Sequence, residues 1–269
     1  MKSEQIKDLF DYYLTNMIQY EKARSFFKQA FDLSLPKTLS YSKLINRIPS
    51  VSARDFEKLK VFVLEQYQRE NCSYHLKNLK SGILKGHSWH NASPSRMHLS
   101  MQEIVRKQIE DEGDLDWLLE VGQDIMKQEY FMVATHDLIQ DTIISSHKNV
   151  LPSLREKSIS DFILDDLPYD LKHTGIPEDW RKPVEGNELE LAMSLFKKAD
   201  PQRLSKNARN SLHQWGLNRF YVVVQHQEDW LTNPEFVLDQ IRLKLDAVPA
   251  PYLFRFDENI KVFLRIISI

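Results

Sequence analysis

The stretch with the most chemical potential runs from residue 160 to residue 174. Two apolar runs, Phe162 to Leu164 and Leu167 to Leu171, flank the polar pair Asp165-Asp166. Apolar runs of this kind on either side of two turn-forming residues predict a β-hairpin with the aspartates as its loop. The hairpin determines which of the neighbouring charged side chains share a face.

With a two-residue loop, Asp161 is predicted to face Asp170 across the hairpin, and alternation along the strand puts Lys172 on the same face. Opposed carboxylates repel each other unless something neutralises them, and a divalent cation is the natural agent. Mg²⁺ prefers oxygen ligands and is commonly held by one or two carboxylates. A nearby lysine can orient a water or stabilise developing negative charge, and this combination suits phosphodiester hydrolysis.

Asp161, followed nine residues later by Asp170-Leu171-Lys172 at the end of a hairpin, resembles the Asp…(Asp/Glu)-x-Lys motif of the PD-(D/E)xK nuclease superfamily. Ser160 departs from the motif, because a proline is expected there. The resemblance implies that Asp161, Asp170 and the Leu171 carbonyl are metal ligands and that Lys172 organises the attacking water. It further implies Mg²⁺, with Mn²⁺ as a substitute, and a DNA endonuclease of restriction, phage defence or mobile-element processing.

A plainer interpretation of the same stretch stays open. Asp165 and Asp166 would form a turn, while Asp161 and Asp170 would be solvated edge residues paired with lysine or arginine. An Asp-x-Lys tripeptide alone carries almost no information, so the hairpin and the upstream aspartate give the motif its weight.

The region before the hairpin is predicted to be helical. Apolar spacing indicates one helix over residues 114–126 and a second over residues 132–147. Nucleases of the superfamily often add an acidic residue from the preceding helix to the metal site. Glu120, Glu129 and Asp141 are the candidates, and spacing does not choose among them.

The N-terminal region, residues 1–96, is predicted to be helical and to end in a basic and aromatic linker over residues 71–96. That linker is either a solvated connection or a DNA-contacting loop. His87 and His90 lack partners at metal-ligand spacing.

Residues 97–269 are predicted to form a nuclease-like α/β domain. Arg219 to Val224 is a near-continuous β-branched and aromatic run, typical of a strand buried on both faces. With a helix over 188–198, a helix from Pro234 and two final strands, the order predicts a mixed β-sheet flanked by helices, a restriction-endonuclease-like core. Arg203, Lys206 and Arg209 form a basic stripe that either is solvated or contacts a phosphate backbone.

Composition limits the classes of function. A formal net charge of −2 means that any nucleic-acid surface must be a local basic patch. The chain has only seven glycines and no phosphate-binding loop motif, which disfavours a glycine-rich nucleotide-binding loop. The single cysteine, Cys72, excludes an intrachain disulfide. With no membrane-spanning run and no apolar signal core, a cytoplasmic protein is expected.

Three functional hypotheses follow. The first is the Mg²⁺-dependent endonuclease, for which a homodimer would pair two active sites by symmetry, although the sequence leaves the oligomeric state open. The second is a non-catalytic nucleic-acid-binding protein with a degenerate nuclease fold. The third is an interaction protein in which the acidic hairpin has no catalytic role.

Overall fold

A computed structural model describes residues 3–34, 51–67, 73–82, 84, 115–147, 149–155, 158–198, 216–255 and 261–269. These residues contain eight helices: α1 (Ser3–Asn16), α2 (Tyr20–Phe31), α3 (Ala53–Gln66), α4 (Ser73–Lys80), α5 (Leu115–Ser146), α6 (Glu188–Lys198), α7 (Asp229–Thr232) and α8 (Pro234–Asp246). They also contain six strands: β1 (Val150–Pro152), β2 (Phe162–Leu164), β3 (Leu167–Thr174), β4 (Arg219–Val223), β5 (Tyr252–Arg255) and β6 (Lys261–Ser268).

The strands form one mixed sheet in the order β1-β2-β3-β4-β6-β5. The first three strands are an antiparallel meander, β3, β4 and β6 run parallel, and β5 returns antiparallel along β6. The connection from β3 to β4 contains α6, as a parallel crossover requires. The predicted α/β class with a helix-flanked mixed sheet is therefore confirmed at that level.

The predicted hairpin is confirmed in its register. Leu164 pairs with Leu167 and Phe162 pairs with Tyr169. Asp165 and Asp166, the two loop residues, have φ angles of 49° and 64°. Two positive φ angles define the type I′ turn, whose twist matches that of the strands it joins. Aspartate tolerates this conformation better than most residues, which explains why the pair closes the hairpin.

The sheet is covered on both faces. On one, here called the α5 face, Phe162, Leu171 and Phe220 pack against α5 and α8. The other, here called the α6 face, is covered in two parts. The N-terminal helices α1 to α3 pack over Ile163, and α6 packs over Tyr221 and its neighbours.

Two sequence expectations about the helices are wrong. Residues 114–126 and 132–147 were expected as separate helices, whereas α5 is a single helix of 32 residues. No proline interrupts it, and a lone glycine costs a helix only about 1 kcal/mol. The described part of the expected basic linker is also a helix, α4, whose Leu79 is buried against the α5 and α8 cluster.

The division into residues 1–96 and 97–269 stays a prediction. The α1 to α3 core includes Leu151, Leu154 and Ile163 from the sheet region, so packing crosses the predicted boundary. His87, His90, Arg203, Lys206 and Arg209 lie outside the described residues. Within the described ranges, no helix has the length and apolar character needed to cross a membrane.

Candidate functional site

Asp161 is held firmly just before β2. Its backbone N–H donates to the Tyr169 carbonyl at 2.8 Å, and its carbonyl accepts from the Ser153 N–H at 2.9 Å. Its side-chain Oδ2 accepts a hydrogen bond from the Leu171 N–H at 2.6 Å. The strand ladder ends at Phe162, so the expected direct pairing of Asp161 with Asp170 does not form. Instead, the Asp161 carboxylate accepts the hydrogen bond from the Leu171 N–H that a continuing β2 backbone would otherwise accept.

The residue before Asp161 explains the departure from the motif. Ser160 is buried, and its hydroxyl forms a 2.7 Å hydrogen bond with the Tyr12 hydroxyl of α1. Burial raises the pKa of Tyr12 to about 12, and the charges of Asp170, Arg219 and Asp161 also act on it. A proline could not make this hydrogen bond, because it has no side-chain donor or acceptor. Ser160 thus ties α1 to the candidate site.

Asp170 and Lys172 lie on the α6 face, as alternation along β3 predicts. The Lys172 ammonium donates to Asp170 Oδ1 at 2.7 Å, and Arg219 Nη1 lies 3.2 Å from Asp170 Oδ2. Arg219, the residue opposite Asp170 in β4, also donates to the carbonyls of Gly216 and Asn218. Both oxygens of Asp170 therefore have cationic partners, as the plainer interpretation of the hairpin predicts for this residue.

The α5 residue that approaches Asp161 is His136, which is not among the site residues predicted from the sequence. His136 Nε2 lies 3.8 Å from Asp161 Oδ2, and its Nδ1 lies 3.4 Å from Asp137 Oδ1. Burial lowers the pKa of His136, but hydrogen bonding and charge from Asp137 and Asp161 outweigh it and raise the pKa to about 9. A histidine beside an aspartate on a helix expected to pack near the hairpin was the available sequence signal.

The same contacts act on Asp161. Burial raises the pKa of its carboxyl, but hydrogen bonding and charge from His136, the Leu171 N–H and the charge of Lys172 together lower the pKa below its ordinary value. Asp161 is therefore an anion at neutral pH, with 23% of its side chain exposed. A partly exposed anion of this kind can accept a ligand.

The three acidic candidates on α5 are placed differently from His136. Glu129 precedes His136 by seven residues, so it lies on the same side of the helix but about 10 Å along its axis. Asp141 follows by five residues and is rotated by about 140°. The side chain of Glu120 lies outside the described residues.

Oxygen ligands for a divalent ion are present only in part. In a strand, the N–H and C=O of one residue point to the same side. Because the Leu171 N–H donates to Asp161, the Leu171 carbonyl also points to the side of β3 on which Asp161 lies. Asp161 and this carbonyl are oxygen donors of the kind Mg²⁺ prefers, and Mg²⁺ keeps several waters and needs few protein ligands. In the described part of the chain, no group of three or more His, Cys, Asp or Glu side chains is arranged to hold a metal.

A buried polar cluster supports the hairpin from the α5 face. His173 Nδ1 lies 3.1 Å from Thr135 Oγ1, and Trp230 Nε1 donates to His173 Nε2 at 3.3 Å. The Thr135 hydroxyl donates to the Phe131 carbonyl at 2.7 Å, so His173 is the neutral tautomer that carries its proton on Nδ1. Burial first, and then the charge of His136, lower the pKa of His173 to about 3. All its partners are internal, so its role is structural.

Comparison of the chain with protein-family models, with curated proteins and with solved structures found no match.

Proposed function

We propose that this chain is a Mg²⁺-dependent endonuclease that hydrolyses phosphodiester bonds of DNA. The observation that carries the proposal is the hydrogen bond from the Leu171 N–H to Asp161 Oδ2 at 2.6 Å. It attaches one carboxylate to the backbone of β3 between Asp170 and Lys172. Asp161 therefore lies beside the two charged residues that flank Leu171, near enough for the charge of Lys172 to lower the pKa of its carboxyl. A nuclease needs its charged groups held in fixed positions around the phosphate, and this attachment supports that role.

Each residue has a separate role in this proposal. Asp161, Asp170 and the Leu171 carbonyl would hold the ion, which when bound supplies positive charge that offsets the negative charge developing on the phosphate. Lys172 is half exposed, with 49% of its side chain accessible, so it can reach a phosphate oxygen or hold the attacking water. Arg219 would bind a phosphate oxygen once Asp170 turns to the ion.

The test is cleavage of mixed linear, supercoiled and single-stranded DNA with Mg²⁺ or Mn²⁺. Lys172→Ala should lower the cleavage rate by about 100-fold or more while metal binding persists, because the lysine acts in the chemical step. Lys182→Ala is the matched control, since Lys182 pairs with Glu190 and 53% of its side chain is exposed. Equal loss in both variants, or unchanged cleavage in Lys172→Ala, would contradict the proposal.

A second function has a specific observation in its favour. The carboxylate of Asp170 is already paired with Lys172 and Arg219, which is what a non-catalytic relative would retain for structural reasons. Such a protein would bind nucleic acid or another partner without cutting. Salt-dependent DNA binding, with no product in either metal over long incubation, would identify it.

A further inference from the structure

Asp161 precedes β2, and the strand register gives it no partner in β3. Backbone hydrogen bonds to Tyr169 and Ser153 fix the path of its main chain. The direction of its carboxylate also depends on the residue before it, because the backbone angles of the two residues are linked. That residue is Ser160, whose hydroxyl forms the 2.7 Å hydrogen bond with Tyr12 of α1.

Tyr12 lies deep inside the protein, close to the candidate site. Its side chain has no exposed surface, and Ser160 is only 1% exposed. Water does not compete for a hydrogen bond between two buried hydroxyls, so the bond restrains both side chains. Burial raises the pKa of the Tyr12 hydroxyl, and the charges of Asp170, Arg219 and Asp161 also act on it. The hydroxyl is therefore near the upstream aspartate and also near the ion pair of β3 with β4.

The helix α1 is itself attached to the segment between β1 and β2. Carbonyl groups at the C-terminal end of a helix have no partner within the helix and must find donors elsewhere. The Asn16 carbonyl accepts from the Ser158 hydroxyl at 3.0 Å. The carbonyl of the next residue, Met17, accepts from the Leu154 N–H at 2.7 Å. α1 is therefore a fixed base for the hydrogen bond that holds the residue before the site.

From these contacts we infer that Tyr12 is a positioning residue, whose hydroxyl acts through Ser160 to set the orientation of the Asp161 carboxylate. Its effect on cleavage rests on the proposed function. The orientation itself does not, because the 2.6 Å hydrogen bond from the Leu171 N–H to Asp161 reports it independently of any activity. The site then includes a residue that lies 148 positions before Ser160, so residues 97–269 do not form it alone.

The experiment compares variants of the full chain. Tyr12→Phe removes only the hydroxyl, Ser160→Ala removes its partner, and a double variant removes both. Tyr13→Phe is the matched control, because Tyr13 is the next residue of α1, is equally buried and donates to the Pro152 carbonyl at 2.7 Å. Urea unfolding measures the stability of every variant.

The Leu171 amide proton provides the first measurement, by nuclear magnetic resonance. A hydrogen bond to a carboxylate is short and strong, and it shifts the resonance of the donated proton downfield. Tyr12→Phe and Ser160→Ala should each weaken the bond to Asp161, so the Leu171 resonance should move upfield in both. In Tyr13→Phe it should stay at its wild-type position.

DNA cleavage with Mg²⁺ provides the second measurement. Tyr12→Phe should lower kcat about 10-fold with little change in KM, because a misoriented Asp161 slows the chemical step rather than substrate binding. Tyr13→Phe should cut at the wild-type rate. In the double variant, stability should partly return, because the Ser160 hydroxyl is no longer left buried without this bond. Its kcat should stay low, since the restraint on Asp161 is still missing.

Equal effects of Tyr12→Phe and Tyr13→Phe, or a Leu171 resonance that does not move in Tyr12→Phe, would overturn the inference. Recovery of kcat together with stability in the double variant would also overturn it, since the role of the hydroxyl would then be only structural. A wild type that cuts no DNA would count against the proposed function, while the Leu171 resonance would still show whether Tyr12 orients Asp161.

Discussion

The turn of the hairpin contains an ion pair whose removal should be costly. Arg265 of β6 is buried, with 4% of its side chain exposed, and its Nη2 lies 2.9 Å from Asp165 Oδ2. Its Nε and Nη1 have no hydrogen-bond partner among the residues that the structure describes. Asp165→Ala would remove the carboxylate that compensates this buried guanidinium, so we expect a large loss of stability.

The size of the loss follows from burial. Removing one partner of a buried ion pair typically costs about 3–5 kcal/mol, because the other charge is left uncompensated. The side chain of Asp165 is 39% exposed, so water already solvates part of the pair and the lower end applies. We expect Asp165→Ala to lower the free energy of unfolding by about 3 kcal/mol more than a substitution that only disturbs the turn.

Asp166→Ala supplies that comparison. Asp166 is the neighbouring loop residue, its φ of 64° is close to the 49° of Asp165, and no ion pair joins it to the described residues. Alanine at either position bears a similar strain, roughly 1 kcal/mol, from the left-handed conformation. Urea unfolding followed by circular dichroism measures both variants. Their difference reports the ion pair together with the exposed 3.3 Å hydrogen bond that Asn149 Nδ2 donates to Asp165 Oδ1.

A difference below about 1 kcal/mol between the two variants would refute this reasoning, since the ion pair would then be worth no more than an exposed one. A second check uses Asp165→Ala combined with Arg265→Met. Removing both charges should recover part of the loss, because the uncompensated guanidinium is gone.

Three further predictions test other parts of the structure. The pKa of His173 is lowered from 6.5 to about 3, so the unfolded chain binds the extra proton and stability falls as pH drops below 6.5. His173→Gln should reduce the pH dependence of the unfolding free energy between pH 6 and 4, by up to about 1.4 kcal/mol per pH unit, in urea titrations. Asn218→Ala should lower the free energy of unfolding by about 3 kcal/mol in the same assay. The buried Asn218 amide donates to the Pro168 carbonyl of β3 at 2.9 Å and accepts from the Phe263 N–H of β6 at 2.9 Å, and both bonds would be lost. In the wild type, Arg219 is paired with the Asp170 carboxylate and would compete with a metal ion for it. If Asp170 is a ligand, Arg219→Gln should therefore bind Mg²⁺ more tightly than wild type in calorimetry. Unchanged affinity would argue that Asp170 binds no ion.

The sequence predicted local features well. The hairpin register, the helix Glu188–Lys198 and the strand from Arg219 follow from apolar periodicity and turn residues, which act over short distances. The helix start at Pro234 is likewise a local feature, and it forms as expected.

The site needed information that no local pattern carries. Whether Asp170 is free or paired depends on Arg219, which lies opposite it only because β4 is parallel to β3. The contact between His136 and Asp161 depends on how α5 crosses the sheet, which the sequence does not indicate. β1 has only three residues, so its apolar pattern is too short to predict a strand. The sequence predicted which side chains of the hairpin share a face, but not which charges from other elements neutralise them.

The central claim is that the hairpin around Asp161 is a nuclease site, and digestion of mixed-sequence genomic DNA tests it most directly. Wild type and Asp161→Asn would be compared with Mg²⁺ and with Mn²⁺, after urea unfolding has shown both to be folded. Asparagine keeps an oxygen that can accept from the Leu171 N–H but removes the charge. The claim predicts metal-dependent fragments from wild type and a rate at least ~100-fold lower from the variant. Equal rates, or no fragments from wild type with either ion, would contradict it.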